Sequence, residues 1–266
     1  MFSFFEGGIV RETAKSVLMP FVTIACLLAV WEACVSAFGV PAHLLPKPSS
    51  VFAEFYANAS LLMFHAAATT SIILSGFVLS VVVGIPLALA VSFSAFFKKT
   101  LYPIIIFSQL IPKIAIAPIF IIWFGFGTTP KVLLTFLVAF FPIVIDSIVG
   151  FLSIRTEQLR VARSMGASSW KLFFKVRLPQ ALPNIFAGLK MAMAMSSTGA
   201  IVAEFVASSE GLGYLLLVAN GELKTALAFA CLFLLIFIGI VLFFAVEAVE
   251  RATTGWHVSQ RMHTAT

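Results

Sequence analysis

Lys113, Asp146 and Glu204 interrupt long apolar runs, and Glu32 lies near the end of another. A charge at the centre of a membrane helix costs about 2.5 to 3.5 kcal/mol on insertion scales, so such a group faces a protein or water-filled interior rather than lipid. Glu32 is near enough to the outer end of its run to reach the interface. Lys113 stands between Pro112 and Pro118 with no helix end close by, so its ammonium requires an anion. Two sources are open. Asp146 or Glu204 could form a helix-to-helix ion pair with it, or a polar or anionic solute could meet it on a translocation path. Other chemistries lack their residues. His43, His65, His257 and His263 fall in loops, at a run edge or near the C-terminus, and form no spaced pair of haem or metal ligands. Cys26, Cys34 and Cys231 are odd in number and lie within apolar runs, so they read as small buried hydrophobes rather than a disulfide framework. No G-x-x-x-x-G-K-[ST] phosphate loop occurs.

The elements that hold these residues are set by composition. Of 266 residues, 61% are hydrophobic and 11% charged, against roughly 25% charged in a soluble domain. A helix crossing the hydrocarbon needs about 20 mainly apolar residues, and six stretches qualify: Val17 to Phe38, Ala67 to Phe96, Leu101 to Phe124, Val132 to Ile154, Ile185 to Ala207 and Thr225 to Val249. The expected fold class is therefore an all-α membrane protein with six transmembrane helices. The first run exceeds the length of a signal h-region, about 7 to 15 residues, and reads as an uncleaved span. Pro86, Pro112 and Pro118 predict kinks, which suit a gated path or static packing alike. Met191, Met193, Met195, Ser196, Ser197, Gly199 and Ala200 give span five a small-residue surface for close helix packing. Trp123 reads as an interfacial anchor. Between spans one and two, Val51 to Phe64 predicts an interfacial amphipathic helix. Gly211 and Gly213 predict a sharp turn after span five.

The net charge of +6 would suggest nucleic acid in a soluble protein. Its distribution says otherwise. Arg11, Lys15, Lys98, Lys99, Arg155, Arg160, Arg163, Lys171, Lys175, Arg177, Lys190, Arg251 and Arg261 fall on one side, and only Lys47, Lys131 and Lys224 on the other. By the positive-inside rule both termini and the link after span four face the cytoplasm. The surplus is an orientation signal, and no nucleic-acid partner is expected.

That link, Thr156 to Pro183, is the most structured polar segment. A first short helix over about Glu157 to Met165 should stop at Gly166, suited to a left-handed cap. A second, capped by Ser168 or Ser169, should run to Leu178 and end at Pro179. Trp170, Phe173, Phe174 and Arg177 fall on one face of it, with Lys171 and Lys175 on another. The aromatic face must be covered, by the protein's own helix ends or by a partner's groove.

Arg160-Val161-Ala162, three residues, Gly166, nine residues and Val176-Arg177-Leu178-Pro179 resemble the EAA loop of ABC importer permeases, with its pattern Glu-Ala-Ala, three residues, Gly, nine residues, Ile-x-Leu-Pro. Arg160 replaces the usual Glu, Val161 the first Ala and Val176 the Ile, so a salt bridge made by the family's Glu does not carry over to Arg160. Further blocks resemble the nitrate, sulfonate and taurine branch, which also includes permeases for thiamine-precursor pyrimidines and riboflavin. They are Leu44-Leu45-Pro46-Lys47-Pro48, Trp123-Phe124-Gly125-Phe126-Gly127, Ala139-Phe140-Phe141-Pro142-Ile143 and Glu210-Gly211-Leu212-Gly213-Tyr214-Leu215.

The resemblance implies the type I ABC importer (MetI-like) permease fold, as one transmembrane domain in the bacterial inner membrane with residues 155–183 as its coupling loop. It implies a subunit that binds no cofactor and hydrolyses no ATP. Two copies would pair with two cytoplasmic ATPase subunits that use ATP, and an external binding protein would deliver a small solute. Arg160, Val161, Ala162, Gly166, Trp170, Lys171, Phe173, Phe174, Val176, Leu178 and Pro179 would then form the ATPase-coupling surface. A secondary transporter or channel, using the intramembrane charges for ion coupling, is the alternative, and it leaves the basic loop unexplained.

Overall fold

A computed structural model describes residues 19, 22–154 and 156–254. In hydrocarbon every backbone N–H and C=O must be satisfied within the segment, so the apolar runs fold as helices. In chain order these are α1 (Val22–Ala37), α2 (Pro48–Ala57), α3 (Ala59–Phe93), α4 (Ala95–Ser108), a 3-10 turn (Lys113–Ile116), α5 (Ala117–Phe124) and α6 (Thr128–Leu152). They continue as α7 (Thr156–Ser164), α8 (Ser169–Leu172), a π-helical turn (Phe173–Arg177), α9 (Leu178–Ala207), α10 (Leu212–Gly221) and α11 (Thr225–Thr253). No strand occurs among the described residues.

Four of these are long and apolar enough to span a membrane: α3, α6, the continuous helix Ser169–Val206, and α11. They correspond to predicted spans two, four, five and six. Of predicted span one, Val22–Ala37 is an apolar helix. The first residues of that predicted span, together with Arg11, Lys15, Arg155, Arg261, His257 and His263, lie outside the described residues.

Predicted span three is not one bent helix. It is a pair, Ala95–Ser108 and Lys113–Phe124, turned by 88° at the break. The prolines explain why: Pro112 is extended (φ −67°, ψ 98°), and Pro118 occupies the first turn of α5, where its missing N–H costs nothing. By contrast Pro86 lies within an unbroken α3. The predicted helix Val51 to Phe64 also divides, at Asn58, whose side-chain amide donates to Glu54 Oε1 at 2.8 Å.

Contacts divide the chain into two units. The first holds residues 1–62 and 216–231. In it the Trp31 and Phe229 rings lie 5.6 Å apart, and the Glu32 carboxylate accepts from the N–H and hydroxyl of Ser49 at 3.0 and 2.8 Å. Thr225 donates to the carbonyl of His43 at 2.8 Å. The second unit holds residues 63–215 and 232–266. Its core is the seam of α6 against α9. A Cβ on Gly188 would lie 2.9 Å from the Pro142 carbonyl, one on Gly150 would lie 2.9 Å from the Ala181 carbonyl, and one on Gly199 would lie 3.0 Å from the Thr135 Cα. Small residues thus bring the two backbones close. Around the seam, Ile72 and Ile73 of α3 pack with Phe186 and Met193 of α9 and Val246 of α11. Lys190 of α9 and Glu250 of α11 form a 2.7 Å ion pair with both side chains largely buried.

Candidate functional site

The break after α4 places Lys113 where a helix would have carried it away. Its Nζ donates to the Gln109 carbonyl at 3.3 Å and lies 4.9 Å from the centre of the Phe141 ring. The residues of the break, Gln109 to Ile114, line a cleft of about 330 Å³ with Leu134 and Val138 of α6 and with Met195, Thr198 and Gly199 of α9. The walls are mostly apolar, so an entering solute would meet few charges besides that of Lys113. The small-residue surface of α9 therefore serves two purposes. Met193, Ser196 and Ala200 are buried in packing, while Met195, Thr198 and Gly199 face the cleft.

Neither proposed anion pairs with Lys113. Asp146 sits half-buried on α6 opposite Gly188 of α9. Glu204 is 1% exposed and fully engaged elsewhere. One carboxylate oxygen accepts from Thr69 Oγ1 at 2.8 Å and the other from the Gly213 N–H at 2.7 Å. Thr69 in turn accepts from the Leu212 N–H at 2.8 Å, and the His65 Nδ1 from the Gly211 N–H at 2.9 Å. Three side chains thus satisfy the first N–H groups of α10, which no intrahelical carbonyl can reach. A carboxylate at a helix N-terminus is also favoured by the helix dipole.

Lys131, read from sequence as an outer-loop charge, is buried beside this network. Its ammonium donates to Ser208 Oγ at 3.0 Å and lies 3.9 Å from Glu210. Sequence reasoning did not find Thr69, His65 or Lys131. The one signal pointing there was the glycine pair. Gly211 has φ +107°, and a Cβ there would collide with the Glu204 carboxylate.

At the other end of α9 the basic link forms the predicted pair of short helices. α7 ends at Ser164, Gly166 has φ +78°, and the Ala167 N–H reaches back to the Ala162 carbonyl at 3.1 Å, a Schellman-type closure. Ser168 caps α8, accepting from the Lys171 N–H at 3.4 Å. The second helix does not stop at Pro179. It widens into a π turn over Phe173–Arg177 and runs on as α9. Pro179, which lacks an N–H, follows that turn directly in the first turn of α9. Gln180 of α9 donates to Gln158 of α7 at 2.8 Å and holds the two arms together.

The aromatic face is divided between both kinds of cover. Phe173 lies 5.7 Å from Phe93 and 6.3 Å from Phe151, and the Arg177 guanidinium sits 4.6 Å over the Phe93 ring. Trp170 and Phe174, 4.6 Å apart, point outward with 74% and 45% exposure. Arg160, Val161, Lys171 and Lys175 are exposed beside them, while Ala162, Val176, Leu178 and Pro179 are half-buried beneath.

A bundle of long apolar helices with a broken span, a cleft at the break and an outward-facing helical arm continuous with a cleft-lining helix is the architecture of a membrane transport component. Residues 80–255 match the family described as "binding-protein-dependent transport system inner membrane component", and the chain belongs to it. It is 38% identical to the riboflavin transport system permease protein RibX of Chloroflexus aurantiacus over 90% of each chain. It is 34% identical to the formylaminopyrimidine transport permease protein ThiX of Halalkalibacterium halodurans, over 91% of this chain and 97% of that protein. In fold it resembles a chain of the inward-facing MetNI methionine ABC transporter, with a TM-score of 0.63 at 20% identity, covering 73% of this chain and 96% of that one. The chain is thus a multi-pass inner-membrane permease subunit of an ABC importer with the type I fold.

Proposed function

We propose that two copies of this chain form the translocation path of an ATP-driven importer, with both termini cytoplasmic. Two ATPase subunits bind the α7–α8 arm, and a separate binding protein delivers the solute. The observation that carries this reading is the continuity of Ser169–Val206. One end of that helix presents Trp170 and Phe174 outward, and the other lines the Lys113 cleft through Met195, Thr198 and Gly199. Roughly 40 Å of helix, at about 1.5 Å per residue, links the two. A displacement imposed on the arm by ATPase closure would therefore reach the cleft as a rigid-body movement.

Within this reading, Arg160, Trp170, Phe174, Lys171 and Lys175 touch the ATPase. Val161, Ala162, Gly166, Phe173, Val176, Leu178 and Pro179 shape the arm. Arg160 presents a positive charge where the EAA pattern has a negative one, so its partner surface is acidic. Lys113 lies on the path. The substrate class the relatives favour is a small polar heterocycle, as the names of RibX and ThiX state for those proteins. A sulfonate-like anion is the second reading, and the cationic Lys113 in an apolar cleft favours it.

The test is uptake by the reconstituted assembly with Gly166→Val, whose β-branched side chain strains a left-handed backbone while meeting no neighbour. ATP hydrolysis should persist while uptake falls at least tenfold, and unchanged uptake would refute the lever. Lys113→Gln separates the substrate readings. Loss of uptake for a sulfonate with retained heterocycle uptake assigns the cleft to anions.

A further inference from the structure

In the second unit, a cleft of about 480 Å³ lies between the last turns of α3 and the α7–α8 arm. Leu89, Phe93, Trp170 and Phe173 give it apolar and aromatic walls, and Arg163 and Arg177 supply its charge. No carboxylate lies within ion-pair distance of either arginine among the described residues. The Arg177 Nε is buried without a hydrogen-bond acceptor, and the guanidinium is held over the Phe93 ring. Two cations that face one cleft repel each other, and a buried N–H without an acceptor costs stability. Both penalties vanish if an oxyanion enters between them, and the planar guanidinium fork matches phosphate oxygens.

The walls indicate where that oxyanion comes from. Leu89 and Phe93 lie at one end of a helix long and apolar enough to span a membrane; in the orientation proposed above, on which this inference rests, that end is cytoplasmic, the level at which anionic headgroups lie and at which basic pockets between helices take them. A free phosphate would gain nothing from aromatic walls, whereas a lipid can lay the start of an acyl chain along Leu89 and Phe93. We infer that the Arg163–Arg177 cleft binds the phosphodiester of an anionic phospholipid and so ties the coupling arm to the cytoplasmic leaflet.

Trp170 lines the cleft and is its own reporter. The full-length chain in non-ionic detergent would be titrated with phosphatidylglycerol, with phosphatidylcholine of the same chain length and with inorganic phosphate, following tryptophan emission against a Trp170→Phe control. Phosphatidylglycerol should bind about tenfold more tightly than phosphatidylcholine, and Arg177→Gln and Arg163→Gln should each weaken it by about tenfold, one charge-assisted bond each. Arg163 is exposed, so its variant keeps the fold if Arg177→Gln does not. Equal binding of the two lipids, or unchanged binding in Arg163→Gln, overturns the inference. Displacement of phosphatidylglycerol by inorganic phosphate at equal concentration would assign the cleft to a free anion and overturns the lipid source. Binding of none of the three would leave the cleft to an acidic side chain of a partner and also overturns it.

Discussion

The Glu204 carboxylate accepts the backbone N–H of Gly213 at 2.7 Å, so the last turns of α9 cap the helix that follows them. An ionisable residue in an apolar run, which from sequence was a candidate partner for Lys113, is here a fastening between successive helices, with Thr69 of α3 as its second partner. Glu204→Ala should leave the Gly213 N–H and the Thr69 hydroxyl without this acceptor and cost about 1 to 3 kcal/mol. Glu204→Gln, which keeps one acceptor oxygen, should cost less. Thermal unfolding in detergent measures the order, and equal loss in both variants would contradict the cap.

Two glycines with positive φ differ in the space around them. Gly166 meets nothing within 4 Å, so Gly166→Ala should cost only the backbone penalty, about 1 kcal/mol. Gly211→Ala must in addition displace the Glu204 carboxylate and should prevent accumulation of folded protein. Expression and size-exclusion profiles of the two variants, side by side, check the contrast.

The Lys190–Glu250 pair predicts a non-additive cycle. Lys190→Met removes the ammonium 2.7 Å from the Glu250 carboxylate, which is 5% exposed, and should destabilise the permease. Glu250→Gln in the same chain should restore much of it. Additive losses in the double variant would show that the pair contributes no coupling.

Trp170 and Phe173, three residues apart, should separate docking from folding. Trp170→Ala removes an exposed ring and should change stability by no more than about 0.5 kcal/mol while weakening ATPase association at least tenfold. Phe173→Ala removes one ring from the mutual cluster of Phe93, Phe151 and Phe173 and should destabilise the permease by about 3 to 5 kcal/mol. Pull-down with the ATPase and thermal unfolding of each variant read the two effects separately.

The pattern of residues made much of this legible. Four spans and both short helices of the basic link follow from apolar run length, from Gly166 and from the capping serine at 168, since these are local effects of hydrophobicity and backbone geometry. The 88° break was hidden because a proline in a membrane run can bend a helix or end it, and neighbouring packing decides which. Ending the second helix at Pro179 failed likewise: the proline follows a π turn directly, in the first turn of α9. The capping role of Glu204 and the burial of Lys131 were hidden because partners distant in sequence, Thr69 for one and Ser208 for the other, are brought to them only by the tertiary fold.

The glycine-seated seam between α6 and α9 constrains how the permease can change shape. With backbone against backbone at Gly150, Gly188 and Gly199, the two helices interlock along their length and cannot slide past one another without a collision. A seam this close resists sliding, so a rearrangement that opened the Lys113 cleft would be expected in the parts that do not share that interlock. The half-helices on either side of the broken segment are the nearest such parts: the seam is the frame, and the break is the hinge-pin.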